Sequence, residues 1–380
     1  MIRFDLWSPY LEHRAALSDY DNVELTLRHN AIGQATVELP ATSWRVKHLI
    51  ARGARLTADL HLGDEKYRRI FSGRLVEAIG EGMSNDSAWT ATFESDIALL
   101  WGMLCYPNPA SPASDQSLQQ YDTQSGPFET VFKHYVSANA GRFVGAGLPT
   151  ITVAPNLGRG GNVADPIKAR MVSVGELLAT AADTAGLGLW VVQRDNDLLV
   201  DVYQTRNHPY QLSEVGGTVT GWKLTTAAPT ATRVIVAGGG TSTARSFLEV
   251  RPHSDQHHAW GRRIEVYDES GGSGEADMRK AALERLTDSA PKWGVSVNIA
   301  DGPNFQVGRN VWLGDKVTVE LSDIDTATEP LREVILTSDM GIGPDGFPAF
   351  SVRPTVGETT GGSTRLYQLV TRLARKKGRA

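Results

Sequence analysis

Trp312-Leu313-Gly314-Asp315-Lys316-Val317-Thr318-Val319 decides how the rest of the chain is read. Glycine lets the backbone turn sharply and aspartate accepts local backbone hydrogen bonds. Val317 and Val319, two residues apart, then enter a core as a strand begins. This is barrel architecture, with nothing catalytic in it. Leu331–Thr337 alternates as strongly and is expected to pair with Lys316–Leu321 as strands of a barrel, with Phe350–Val352 closing it. Between them, Asp323-Ile324-Asp325 with Glu329 resembles the start of a calcium loop. It lacks the glycine and the final glutamate that such a loop needs, so it reads as a hairpin turn.

The first hundred residues carry the same signal. Ile2, Phe4 and Leu6 alternate, as do Val23, Leu25 and Leu27, then Ala35, Val37 and Leu39. Asn30-Ala31-Ile32-Gly33 reads as a hairpin connection in which Gly33 supplies a positive φ. Arg55–Leu62 and Tyr67–Ile79, joined through Gly63-Asp64-Glu65, and Trp89–Glu94 add further strands. Strands at this spacing predict a small antiparallel barrel or sandwich.

The middle of the chain changes period. Residues 106–125, with Pro107, Pro109 and Pro112, read as a long irregular excursion. A helix is expected from Pro127, with Phe128, Val131, Phe132, Tyr135 and Val136 on one face and Gly141 as its stop. Ser173-Val174-Gly175-Glu176 has capping-box spacing and opens a second helix, with Val174, Leu177, Leu178, Ala181 and Ala185 as its apolar face. Leu189–Gln193 and Leu198–Tyr203 follow as a hairpin. Strands are expected at Gly221–Thr225, Arg233–Ala237, Gly261–Val266 and Val295–Ile299, and a helix at Glu275–Ser289. The last element is a narrow stripe of Leu366, Leu369, Val370 and Leu373 among cations that include Arg372 and Arg375. So short a stripe is marginal alone and must dock on something.

The fold class expected is mainly β with α+β insertions. Two related antiparallel β-barrels would span 1–105 and 211–250 with 305–357. An α+β domain with a long loop (106–210), a helical α+β insert (251–304) and a basic C-terminal helix (358–380) would complete the chain.

Composition bounds the function. A chain of 380 residues suggests two to four domains, and 41% hydrophobic with 21% charged residues excludes global disorder. No apolar run approaches the ~18 residues of a membrane span. The N-terminus lacks the apolar core of a secretory signal, and the single Cys105 excludes an internal disulfide framework, so synthesis in a cytoplasm is expected. Net charge is −5, but the last sixteen residues hold six cations and no acid, leaving 32 basic against 43 acidic residues elsewhere. Such a body repels nucleic acid phosphates as a whole.

No catalytic or cofactor motif stands out. Gly271-Gly272-Ser273-Gly274-Glu275 lacks the last glycine of a nucleophile elbow. His253, Asp255, His257 and His258 could offer metal ligands, but without a helical signature they read as a polar loop. Gly158-Arg159-Gly160-Gly161 and Gly238–Gly240 open no helix that would hold a pyrophosphate. Trp190 and Trp222 sit inside expected strands and read as core or interface. No cofactor is expected.

The order of the phrases carries more than any one of them. The Ile2–Ser8 strand, the hairpin pair, Leu49-Ile50-Ala51-Arg52-Gly53 and Phe71-Ser72-Gly73-Arg74-Leu75 come first. Val174–Ala185 with the 189–203 hairpin follows, then Ala231-Thr232-Arg233-Val234-Ile235-Val236-Ala237-Gly238-Gly239, Gly261-Arg262-Arg263-Ile264-Glu265 and the opening phrase. This succession resembles the siphophage tail-hub family, the actinophage minor tail proteins related to contractile-phage baseplate hubs.

The resemblance implies a non-enzymatic homotrimer at the distal end of a phage tail. Its six barrels would join a sixfold tube to a threefold tip. Its partners would be the distal tail protein ring, other minor tail, tip or fibre proteins, and the tape measure protein and DNA that cross its channel without specific binding. An acidic channel wall would let DNA slide. The rival readings are a tail-tip cell-wall hydrolase and a carbohydrate-binding host-receptor protein. Truncation at Gly361 is expected to abolish a contact with a trimer mate or tip protein. Unchanged assembly and attachment of every neighbouring tip protein would refute that role for Leu366, Leu369, Val370 and Leu373.

Overall fold

The computed structural model describes residues 2–63, 66–82, 87–143, 149–239, 243, 245–251, 265–268, 274–290, 292–299, 305–321, 324–338 and 350–357. The chain divides into two units, one of Met1–Gly221 with Val297–Val356 and a second built around Trp222–Ser296.

The first unit opens with β1 (Ile2–Trp7), β2 (His13–Leu17), β3 (Asn22–Arg28), β4 (Gln34–Pro40), a helical turn α1 (Val46–Leu49), β5 (Arg55–Gly63), β6 (Lys66–Glu81) and β7 (Ala88–Ser95). They form one antiparallel sheet in the order β3-β4-β7-β6-β5-β1-β2. Alternation explains the faces: Val23, Leu25 and Leu27 on β3 and Ala35, Val37 and Leu39 on β4 are all buried, while Glu24 on β3 is exposed and Thr36 and Glu38 on β4 are only partly buried. The β3–β4 turn corrects one expectation. Asn30, not Gly33, takes the left-handed conformation, at φ 47°. Gly33 is needed for another reason, because a Cβ there would stand 2.6 Å from the Thr26 carbonyl oxygen.

After α2 (Ala98–Gly102) and the short β8 (Leu104–Cys105) comes the irregular stretch, broken by β9 (Asp122–Gln124). Helix α3 (Phe128–Phe143) carries the expected face, with Phe128, Val131, Phe132, Tyr135 and Val136 buried. It runs through Gly141 instead of stopping there. One glycine inside a helix costs only about 1 kcal/mol, and the next residue is held, since the Arg142 Nε donates to the Pro109 carbonyl (2.8 Å).

β10 (Thr150–Val153), β11 (Ile167–Ala169) and β12 (Val172–Ser173) lead to helix α4 (Val174–Thr184). The Ser173 side chain accepts from the Glu176 N–H (3.2 Å), as the capping spacing predicts. β13 (Leu187–Gln193) and β14 (Asp197–Gln204) form the expected hairpin, with β10 added parallel to β14. Both helices and this small sheet enclose a core that includes Phe132, Tyr135, Leu178 and Val200. β15 (Asn207–Ser213) and β16 (Val219–Ala227) follow.

In the second unit β17 (Arg233–Ala237), β18 (Phe247–Val250) and β19 (Glu265–Asp268) make a sheet in the order β18-β17-β19. Helix α5 (Glu275–Asp288) buries Met278, Ala282 and Leu286 against Val234, Val236 and Val250. Trp222 is 38% exposed, so it is not a core residue.

After β20 (Lys292–Ile299) come the strands β21 (Lys316–Leu321), β22 (Ile324–Ser338) and β23 (Ser351–Gly357). β21 and β22 form a hairpin, but Lys316 faces Pro330 and Leu321 faces Ile324. The alternating run Leu331–Thr337 therefore does not pair with Lys316–Leu321 as expected. Its partners are β23 on one side and β3, some three hundred residues earlier, on the other.

That pairing changes the architecture. Two separate barrels were expected, yet none of the described sheets closes into a barrel. The N-terminal sheet and the C-terminal strands are continuous through β22 and β3. In one cross-strand row, Val352 faces Leu336, Leu336 faces Leu25, Leu25 faces Ala35, Ala35 faces Phe93 and Phe93 faces Leu75. Leu25→Ala removes the centre of this row and is expected to lower the unfolding free energy by about 2–5 kcal/mol in urea titration. A loss under about 1 kcal/mol, as at surface positions, would show that the row is not load-carrying core.

Candidate functional site

Leu366, Leu369, Val370, Arg372, Leu373 and Arg375 lie outside the described residues, as do His253, Asp255, His257 and His258. The phrase Trp312–Val319 does not. It lies at a junction within the first unit, where the β3–β4 turn, α4, β13, β14 and β22 converge.

The junction is built around His29, the residue after β3. Its ring is almost fully buried and sits against Gly314, where a Cβ would stand 2.3 Å from the imidazole; Gly314 itself has φ +82°. Asp315 behaves as its sequence position suggests, accepting from the Arg206 N–H and the Trp312 N–H, each at 2.8 Å. The His29 Nε2 meets Asp183 Oδ1 at 2.9 Å, and the Nδ1 meets the Tyr203 hydroxyl at 2.9 Å. With Nε2 donating to the carboxylate, a neutral imidazole leaves Nδ1 to accept the tyrosine proton. Arg332 on β22 donates to Asp183 Oδ2 (2.7 Å). Asn30 donates to Asp183 Oδ1 (2.5 Å) and Leu187 O (3.1 Å), and its own oxygen accepts from the Leu189 N–H (2.7 Å).

A Tyr–His–Asp chain resembles a proton relay, but the environment argues for a clamp. Burial pushes the Tyr203 phenol above its ordinary range, away from ionisation near neutrality. At Asp183 burial alone would raise the carboxyl, yet the hydrogen bond from His29, the Arg332 charge and the Asn30 bond together hold it below the usual range. It therefore stays an anion that ties three segments together.

Two further buried clusters lie in the same unit. Arg55 donates to both oxygens of Asp96 (2.7 and 2.6 Å) and to Gln193 Oε1 (2.8 Å), while the Ser72 hydroxyl donates to Asp96 (2.5 Å). These bonds join the first sheet to β13. On α3, Glu129 receives Lys133 (2.6 Å) and Arg159 (2.8 and 2.9 Å), and Arg159 also reaches Asp201 (2.7 Å). Burial alone would raise the Glu129 carboxyl, but bonds from Arg159 and Lys133 outweigh it and hold the group well below the carboxylate range. Cys105 is fully buried, and burial with Asp122 nearby pushes its thiol up to about 12, so it offers no thiolate. Among the described residues no group of three His, Cys, Asp or Glu side chains is placed to hold a metal ion, and no helix is long and apolar enough to cross a membrane.

Beside the junction opens a cleft of about 610 Å³ whose walls include Arg68, Arg69, Trp190 and Trp312. Sequence reasoning missed it. The signal available was Tyr67-Arg68-Arg69, consecutive large polar residues in a strand whose neighbours alternate.

The family described as Siphovirus ReqiPepy6 Gp37-like protein matches residues 3–358. No curated protein matches the chain. The chain shares the fold of the 43 kDa tail protein of prophage MuSo2 from Shewanella oneidensis, with a TM-score of 0.54 over 93% of this chain and 97% of that one at 12% identity. It is similarly like the tail protein from Neisseria meningitidis MC58, with a TM-score of 0.52 over 94% and 96% at 9% identity.

Gly314→Ala forces a side chain into the His29 ring at a positive φ and is expected to cost about 1–3 kcal/mol from overpacking, with about 1–2 more for the left-handed backbone. A thermal midpoint within a degree of the parent would refute the junction. Glu129 is depressed on folding, so its contribution is complete above the unfolded value near 4.3 and is lost as pH falls through the lower folded value. Glu129→Gln should therefore lower stability at pH 7 and flatten the acid limb of the stability–pH curve. An acid limb of unchanged slope would contradict this.

Proposed function

The chain belongs to the Siphovirus ReqiPepy6 Gp37-like family of phage tail proteins, and from that premise we propose that it is a structural hub at the distal end of a long tail. Three copies form a ring that adapts the sixfold tube to a threefold tip. The ring surrounds the passage used by the tape measure protein and the DNA, and it meets the distal tail protein ring on one side and minor tip or fibre proteins on the other. In this reading residues 1–105 and the strands of 211–250 with 305–357 are equivalent halves whose closure as barrels is completed in the ring. The terminal stripe Leu366, Leu369, Val370 and Leu373, with Arg372 and Arg375, docks on a neighbour.

One observation carries the reading. The N-terminal strands share one sheet with β21, β22 and β23 through β22 and β3, while β17 and β18 lie in another sheet, so a single subunit holds two strand sets at a fixed register. A threefold ring needs that repetition inside each subunit to imitate sixfold order. The buried clamp around His29 and the Arg55–Asp96 pair supports it by fixing the α+β segment on the first sheet. A component that transmits geometry needs rigid joints more than a catalytic group, and the protein acts without turnover.

Light scattering of the purified protein is expected to give three times 41.2 kDa, and low-resolution images of particles should show a threefold ring with a central passage. A monomer at every concentration, with no density for this protein at the distal tail end, would overturn the hub. Peptidoglycan hydrolysis or binding of host glycans by the isolated protein would favour the hydrolase or receptor reading instead.

A further inference from the structure

The cleft beside the junction holds a cation, Arg68, that has no ion-pair partner among the described residues. Arg69 grips Asp59 through two hydrogen bonds of 2.9 Å each, and Arg3 reaches the same carboxylate at 3.4 Å. Arg194 is paired with Asp197. Arg68 is half-buried and different. Its Nη1 donates to the Gly308 carbonyl (2.8 Å) and its guanidinium lies 4.4 Å from the centre of the Trp312 ring. Among the described residues no carboxylate lies in ion-pair contact with it. Burial lowers its pKa, against the opposing attraction of Asp315.

The walls narrow the chemistry of an occupant. Asp59, Asp195 and Asp201 line the cleft beside Arg3, Arg68, Arg69 and Arg194, so its charge is nearly balanced and suits a singly charged group better than a multiply charged phosphate or a nucleic acid backbone. A sugar ring would need a free aromatic face, but Arg68 covers Trp312, Arg3 lies 4.8 Å over Tyr67, and Trp190 and Tyr203 are engaged in edge-on contacts with Trp312. At about 610 Å³ the cleft is far larger than a single ion, and Val192, Leu199 and Val202 give it apolar walls. A single carboxylate flanked by apolar groups fits these conditions. The stacking on Trp312 keeps the guanidinium plane oriented, which favours two parallel hydrogen bonds to a carboxylate.

We propose that this cleft binds an acidic peptide segment, with a glutamate or aspartate carboxylate on Arg68 and its apolar neighbours against Leu199 and Trp190. That the segment belongs to another tail protein rests on the hub reading; the carboxylate site itself does not.

The test is calorimetry on the purified full chain with the blocked peptide Leu-Glu-Leu, its glutamine counterpart Leu-Gln-Leu, glucuronate and inorganic phosphate. The indole N–H resonances of Trp190 and Trp312 are followed in parallel. The glutamate peptide should bind at least about tenfold more tightly than the glutamine peptide and shift both indole signals. Arg68→Gln should weaken it by about tenfold, and Arg68→Lys, which keeps the charge but not the fork, by less. Circular dichroism checks both folds, and Arg68→Lys still reports if Arg68→Gln does not fold. Equal affinity for the two peptides, no saturation at millimolar concentration, or binding of only phosphate or glucuronate would overturn the site. A chain that is monomeric yet selects the glutamate peptide would remove the hub and leave the site standing.

Discussion

The register between β22 and β3 is the constraint on which the first unit depends. Because side chains alternate from face to face, a slip of one residue would turn Val334 and Leu336 away from Leu27 and Leu25 and expose both rows at once. The register is held at one end by the turn before β21. There the Gly314 N–H donates to the Leu331 carbonyl and the Leu331 N–H donates to the Asp315 carbonyl, each at 2.8 Å. Arg28 and Glu333, partners across the seam, add an ion pair of 2.6 Å. The small residue at 314 thus serves two ends: it lets the chain turn and it leaves room for His29.

The same seam marks where sequence reasoning runs out. Alternation in Val23–Leu27, Ala35–Leu39 and Leu331–Thr337 names the buried face of each strand, and those faces were legible. It does not name the neighbour. On one side Leu331–Thr337 pairs with β3, to which no local pattern points, which is why an expectation of separate barrels meets a continuous sheet. Besides the two- and three-residue strands β8, β9, β11 and β12, the strands that escaped notice are β2, β10, β15 and β18. His13 and Arg14 make β2 polar at its start, Pro209 interrupts β15, and β10 and β18 have only four residues each. Capping at Ser173 was legible because the signal is local. The partners of His29 were not, since Asp183 and Tyr203 come from other elements.

The buried charges are arranged for orientation. Taking Arg55 and Asp96 out of water costs about as much as their attraction returns, so the pair adds little net stability. Losing either partner would strand the other, which makes the geometry obligatory. The cluster on α3 works likewise, with Glu129 shared between Lys133 and Arg159 so that the 156–162 loop is tied to the helix. Both clusters connect segments far apart in sequence, where a wholly apolar contact would allow small slides.

Cys105 has a practical consequence. It is the only cysteine in the chain, sealed in the core and un-ionised across the neutral range. Thiol-directed reagents attack the thiolate, so they leave it untouched while the fold holds. A second cysteine engineered at any solvent-facing position becomes a unique chemical handle. Fluorophores or crosslinkers can be attached there without first altering the native chain.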